Sequence, residues 1–382
     1  MRKLIIILIS IFSIIIVGLI VLLVIMIGYG GFRINSSVSG YSNLKLVNTQ
    51  NADLEGIEAI VIDYDSEDVV LYTSDTGELV LKEYMSFSPK EDDFTRITKS
   101  GGKLNLEGRK EHVNSWIFGM NRYSRMEIYL PSGYSGTLSV STSSGVIDSD
   151  MALILKKFDA SCSSGDIKMN EVTAEDINVS TSSGSITFKK AEGARSISSS
   201  SGDIEIQAGA GDTQVSSTSG SIIIENVVGQ LKAEASSGDI VIKASSGKKD
   251  IRTSSGEIII TDSEGYTRAY ASSGDLRITE LAGAGDFTTT SGVVTVIFAK
   301  DASFINDNIK IESSSGDVDL TIPSELRFSF NANTSSGDIR TYFDDLIDFS
   351  KDERDASGTV GSSPLINLDI STTSGDIQVN SR

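Results

Sequence analysis

The sequence predicts an all-β protein, a parallel single-chain β-solenoid with coils of about 18 residues, preceded by one N-terminal transmembrane helix. Three observations carry this prediction. An uncharged apolar run of 25 residues lies close to the N-terminus, a serine-glycine corner recurs twelve times, and polar and apolar residues alternate on both sides of that corner.

The apolar run, Leu4 to Gly28, is long enough to cross a bilayer as a helix, for which roughly 20 apolar residues suffice. It is longer than the apolar core of a secretory signal, about 7 to 15 residues, and no small-residue cleavage pattern follows it, so the expectation is an uncleaved anchor that meets the lipid bilayer through residues 4–28. Arg2 and Lys3 precede it, which places the N-terminus in the cytoplasm and the rest outside the cell, a single-pass topology. The expected organisation is an anchor over 1–28, a spacer over 29–54 and a solenoid over 55–382.

The stretches 57–85 and 125–131 alternate in strand fashion between D/S/G turns and read as opening coils, less regular because an end must be capped. Regular repeats begin at about 136. Their glycines are Gly145, Gly165, Gly184, Gly202, Gly220, Gly238, Gly256, Gly274, Gly292, Gly316, Gly337 and Gly375, and six consecutive steps are of 18 residues. The residue before each glycine is serine, as in Ser144, Ser164, Ser183, Ser201, Ser219, Ser237, Ser255 and Ser273. Two places after the glycine every copy is aliphatic, and five places before it every copy is apolar. The inward positions are odd before the glycine and even after it, so the chain turns a corner there, and glycine tolerates the angles a corner needs. A second glycine nine places on, from Gly193 to Gly283, makes each coil turn at least twice. Stacked coils bury what one coil cannot, and the eight serines should form a hydrogen-bonded column along the corner. The step of 38 residues before Gly375 holds an insertion, about 344–363, expected as a charged surface loop.

Removing the +2 of Arg2 and Lys3 from the formal charge of −19 leaves −21 on the remainder, a field that repels nucleic acid. The aspartates after the corner, among them Asp166, Asp203, Asp239 and Asp275, invite comparison with calcium-binding glycine-aspartate repeats. Ser185, Ser221, Val293 and Glu257 break the series, so turn residues accepting backbone N–H bonds are expected and no metal or cofactor is. His112 is the only histidine and Cys162 the only cysteine, too few for a zinc site. Trp116, Phe118 and Tyr123 are the candidate ligand patch, with packing over the solenoid's end as the alternative.

The "DVVLYTSD" segment, the "MEIYLPSGYSGTLSVSTSSG" entry and the closing "LINLDISTTSGDIQV" resemble the adhesin-like family of domains of unknown function built on repeated S-S-G-D-I turns and frequent in Gram-positive bacteria. The resemblance spans about 55–382 and implies a surface-displayed β-solenoid, with links in some members to envelope stress. A non-enzymatic scaffold or binding module for an envelope or surface ligand is the first expectation. Capture of cationic peptides by the acidic surface is the second, and a polysaccharide-acting β-helix enzyme the third.

Overall fold

The computed structural model describes residues 43–108, 122–301, 305, 307–350 and 353–382. The expected anchor 4–28 and the spacer up to residue 42 lie outside the described residues. Among the described residues no helix is long and apolar enough to cross a membrane. Leu44–Arg382 is one compact unit, and its helical content among the described residues is confined to short 3-10 turns such as Glu91–Asp93 and Asp344–Leu346.

Alternation builds the coils. Ile222–Glu225 turns Ile222 and Ile224 inward and leaves Ile223 and Glu225 half-exposed, and the parallel register runs Ile204, Ile222, Ile240, Ile258, Leu276, Val294 through successive coils. All six are fully buried. Burying each such side chain contributes about 1.5 to 3 kcal/mol, and β-branched residues suit the pleat, so the same column holds the stack and sets its register.

One regular coil has three runs. Thr213–Ser217 precedes the corner at Gly220, Ile222–Glu225 follows it, and the short Val227–Val228 completes the circuit before Gly229. The extra bend lies at Asn226, whose φ is 49°, and the equivalent Ala244, Asp262 and Glu280 share it. No glycine marks this bend, which is why the sequence shows only two turns. At Gly229 φ is 135°, so glycine is needed there for its backbone freedom.

At the main corner the reason is different from the one expected. From Gly145 to Gly274 none of the eight corner glycines is left-handed; a Cβ on Gly220 would overlap the carbonyl of Gly202 in the coil below, and the same holds along the column. Glycine is required for close approach of stacked backbones.

At both ends spatial order departs from chain order. The first coil, Ala59–Asp63 with Asp68–Ser74, lies between the Gly145 coil and an outer coil made of Lys103–Glu107 and Ser124–Pro131. The outer edges are covered by antiparallel strands: Arg96–Ser100 on one, Glu78–Met85 and then Lys45–Asp53 on the other. The expected spacer 29–54 is therefore corrected, since from Lys45 onward it is a capping strand. At the far end Ile366–Ser374 and Ile377–Ser381 insert between the Gly316 and Gly337 coils. The expected loop 344–363 is in part a cap too, because Asp355–Val360 pairs antiparallel with Phe328–Ser336 and with Ile347–Phe349. Covered edges leave fewer unpaired backbone groups for stray strands to join.

Candidate functional site

The corner is the most repeated polar feature. Ser144, Ser164, Ser183, Ser201, Ser219, Ser237, Ser255 and Ser273 do stack, but all eight face solvent. Their contribution runs through the backbone: the Ser201 N–H donates to the Ser182 carbonyl at 3.0 Å, and Ser219 to Ser200 likewise. The buried hydroxyls stand two residues earlier. Ser199 Oγ accepts the Gly202 N–H at 2.8 Å and Ser217 Oγ accepts that of Gly220 at 2.9 Å; Cys162 Sγ takes the same place under Gly165. Cys162 is thus a packed filler that accepts a corner N–H.

The corner changes character along the stack. At Gly256, Gly274, Gly292, Gly316 and Gly375 the glycine N–H bonds a serine carbonyl of the adjacent coil, as Gly274 does with Ser291 at 3.0 Å and Gly292 with Ser315 at 3.0 Å. The buried hydroxyl then only donates, as Thr289 Oγ1 does to the Gly274 carbonyl at 3.0 Å; alanine occupies the place on both sides of the change, at Ala235 and Ala271. Ser199→Ala should therefore leave a buried N–H unpaired and cost about 1 to 3 kcal/mol, whereas Thr289→Ala should cost about 1 kcal/mol or less. Urea denaturation of the two variants checks this; equal losses would remove the distinction.

The aspartates after the corner act as acceptors for the coil above. Asp203 Oδ1 accepts the Ser221 N–H at 2.8 Å, Asp239 that of Glu257 at 2.8 Å, and Asp275 that of Val293 at 2.8 Å. In these three cases the donor is a non-aspartate residue, whereas towards the far end Asp317 and Asp376 each accept the N–H of another aspartate. Asp166 does the same for the Ser185 N–H, and that bond with the Lys168 ammonium holds its carboxyl below the usual range although burial opposes this. No group of three or more metal-ligating side chains is assembled among the described residues.

Among the described residues two cations, Arg195 and Lys249, are buried in the interior. Arg195 Nη1 donates to the carbonyls of Ala191 at 2.5 Å and Ala210 at 3.1 Å, while its Nε and Nη2 find no partner among the described residues. Lys249 Nζ donates to the carbonyls of Gly247 at 3.0 Å and Glu264 at 2.5 Å. Burial pushes Arg195 down to about 10 and Lys249 down to about 8. Leu231 and Thr267 fill the equivalent place in neighbouring coils, so these are internal plugs at the second bend.

The groups best placed to meet a ligand lie on the outward side of the N-terminal cap. Tyr72 and Tyr129 stack with centroids 4.9 Å apart at 21°, and Lys82 Nζ sits 4.4 Å from the Tyr129 centroid. Tyr129 donates its hydroxyl to Glu127 at 3.0 Å; Arg125 bridges Glu127 at 3.3 Å and the Tyr72 hydroxyl at 2.9 Å. Burial, then the bond to Glu127, pushes Tyr129 up to about 12; Tyr84 is raised by burial and the same carboxylate. Tyr123, 44% exposed, stands two residues before Arg125 and is held by Ser86 through paired bonds of 3.0 Å. Trp116 and Phe118, expected beside it, lie outside the described residues, as does His112. The inner side of this cap is fixed by Glu83, fully buried, which accepts Thr95 N–H and Oγ1, both at 2.8 Å, and Asn48 Nδ2 at 2.6 Å.

Tyr72, Tyr84 and Tyr129 were legible as outward tyrosines within "VVLYTSD", "LKEYM" and "EIYLP". Their convergence was not, because it depends on the out-of-order pairing of three strands.

The family described as Toastrack DUF4097 matches over residues 57–259, 192–307 and 248–380. Among solved structures, the chain is similar to a candidate cell adhesion protein from Clostridium sporogenes, at 10% identity and TM-score 0.19 over 89% of this chain and 100% of that one. It is also similar to a candidate adhesin from Bacteroides fragilis, at 14% identity and TM-score 0.32 over 88% and 97%. No functionally curated protein matches.

Proposed function

We propose that this chain, which belongs to the Toastrack DUF4097 family, is a membrane-anchored, surface-displayed β-solenoid of the adhesin type: a non-enzymatic module that binds an envelope or cell-surface ligand. The apolar run at 4–28 and the basic pair before it support the anchor and its orientation. Cleavage of the solenoid by protease added to intact cells checks the orientation; a fully protected chain would remove it.

The observation that carries the binding reading is the tyrosine cluster of the N-terminal cap. Tyr72, Tyr129, Arg125 and Glu127 are locked to one another, so a ligand meets side chains already ordered. Ordered tyrosine and arginine lose little entropy on binding and recur as dominant contacts in interfaces. The repeat aspartates, by contrast, are occupied by ladder bonds and the buried hydroxyls by corner bonds. The paired substitution Tyr72→Ala and Tyr123→Ala should weaken binding of the purified protein to cell-envelope material by about 30-fold or more, the scale of losing a dominant interface contact. Unchanged binding by the folded variant would exclude this face.

The net charge favours a second reading, capture of cationic peptides. Such capture should weaken steeply between about 20 and 500 mM salt as the screening length shrinks. Peptide binding indifferent to that change would exclude it. Turnover of any cell-wall or host glycan by the purified chain would replace both readings with an enzymatic one.

A further inference from the structure

We propose that residues 366–382 form an exchangeable coil, which two copies of this chain trade to make a symmetric dimer. The exchange itself is independent of the binding function given above; only its use in adhesion rests on that reading.

The geometry that points to exchange lies at Phe328. Val360 pairs with Phe328 on one edge of its strand, and Ile366 pairs with the same residue on the other. Five residues, 361–365, therefore carry the chain from one side of a strand to the other, about two strand spacings or roughly 9.6 Å. They do so in a bent form: Gly361 has φ of 80° and Ser363, which is not glycine, has φ of 56°. The strap is pinned from below, with Arg327 Nη1 donating to the Ser362 carbonyl at 3.1 Å and the Leu365 N–H to the Arg327 carbonyl at 3.2 Å. Extended, the same five residues reach about 17 Å.

Beyond the strap, the end of the chain is a separable unit. Ile366–Ser374 and Ile377–Ser381 make parallel ladders on both sides, with the Gly316 coil and with the Gly337 coil. A second copy offers an identical slot: Asp317 accepts the Asp376 N–H at 2.8 Å and Asp376 accepts the Asp338 N–H at 2.9 Å, whichever chain supplies the middle coil. The slot's contacts are therefore the same in monomer and dimer. The balance between them is set by the cost of association against release of the bent strap, and short strained hinges favour exchange. Two reciprocal insertions close the assembly, so it stops at a dimer. The exchanged coil lies at the end of the stack away from strand Lys45–Asp53, which suits a tip-to-tip contact between two surface-displayed copies.

The full chain tests this with two cysteines on a Cys162→Ser background, since Ser199 and Ser217 occupy the equivalent place in other coils. Asn331 and Asp369 are exposed Cα partners across the inserted strand. In Asn331→Cys with Asp369→Cys, oxidation of the monomer links one chain to itself, whereas the exchanged form links two. The expected result is a covalent dimer on a denaturing, non-reducing gel, its fraction rising with protein concentration during refolding. Self-linked chains alone at every concentration would overturn the proposal. Unmodified protein supplies the second measurement: heavy-isotope and light copies unfolded and refolded together should give mixed dimers by native mass spectrometry, and only monomers would again overturn it. Ser363→Gly, which releases the bent residue, should lower the dimer's association constant about tenfold per strap. An unchanged constant would overturn the assignment of the strap as the hinge.

Discussion

Gly220→Ala should destabilise the protein by more than about 4 kcal/mol, or prevent the middle of the stack from folding, while Gly77→Ala should change stability by less than about 1 kcal/mol. The contrast isolates close approach from glycine's general flexibility. A Cβ at Gly77 meets nothing within 4 Å, whereas at Gly220 it would occupy the space of the Gly202 carbonyl oxygen. That carbonyl belongs to the backbone of a coil held on both faces, so it cannot turn aside as a side chain would. The coils above and below must separate at the corner, and the ladder bond from the Ser237 N–H to the Thr218 carbonyl is strained with it. Stability in a stacked repeat is close to a sum of coil and interface contributions, so loss of one interface in the middle should divide the unfolding transition. Far-ultraviolet circular dichroism against urea, with hydrogen exchange at Ile204 and Ile222, measures both effects. A Gly220→Ala protein as stable as wild type would show that the corner can widen at little cost.

Lys249→Leu should stabilise the protein at pH 7 by about 1 to 3 kcal/mol, an unusual sign for a core substitution. Burial pushes the Lys249 ammonium down to about 8, opposed in part by Glu264. Below pH 8 both folded and unfolded chains carry the charge, and the folded state bears the full cost of burying it. Between about 8 and the ordinary value of 10.5 the unfolded chain binds more protons than the folded one, so wild-type stability rises with pH. Above that range both are neutral and the cost has gone. The whole rise is worth about 3 kcal/mol, from 1.36 kcal/mol per pKa step. Leucine has an internal precedent, since Leu231 fills this place one coil away. The difference between wild type and Lys249→Leu, followed by urea denaturation from pH 7 to 10.5, should shrink as pH rises. A variant less stable than wild type at pH 7 would mean that the bonds to the Gly247 and Glu264 carbonyls outweigh the buried charge.

Much of the solenoid was legible because its cause is local and repeated. Ile204 and Ile206 alternate with Asp203 and Glu205, and that period of two means the same thing in every coil, so inward and outward sides could be assigned without knowing the path between them. The bend at Asn226 was not legible, because Asn, Ala, Asp and Glu occupy that left-handed position in successive coils and no residue type marks it. The serine column was visible but misweighted. Ser201 and Ser199 are the same residue two places apart, and only the three-dimensional corner shows that Ser199 holds the Gly202 N–H while the Ser201 hydroxyl faces water. Of the candidate patch, Tyr123 stands two residues before Arg125 of the cluster, and the partner that holds it, Ser86, is 37 residues away in the chain.

Side-chain periodicity, acting within a few residues, was enough to establish the class of fold, the coil length, the register and the buried column. Tertiary structure decided the order of coils at the two ends, the identity of the buried hydroxyls, the sites of Arg195 and Lys249 and the convergence of Tyr72, Tyr129, Arg125 and Glu127. The physical reason is that one repeat fits beside another almost equally well at many places along the stack. Which coil occupies which layer is then settled by connections, caps and straps such as 361–365, and not by the pattern within any coil.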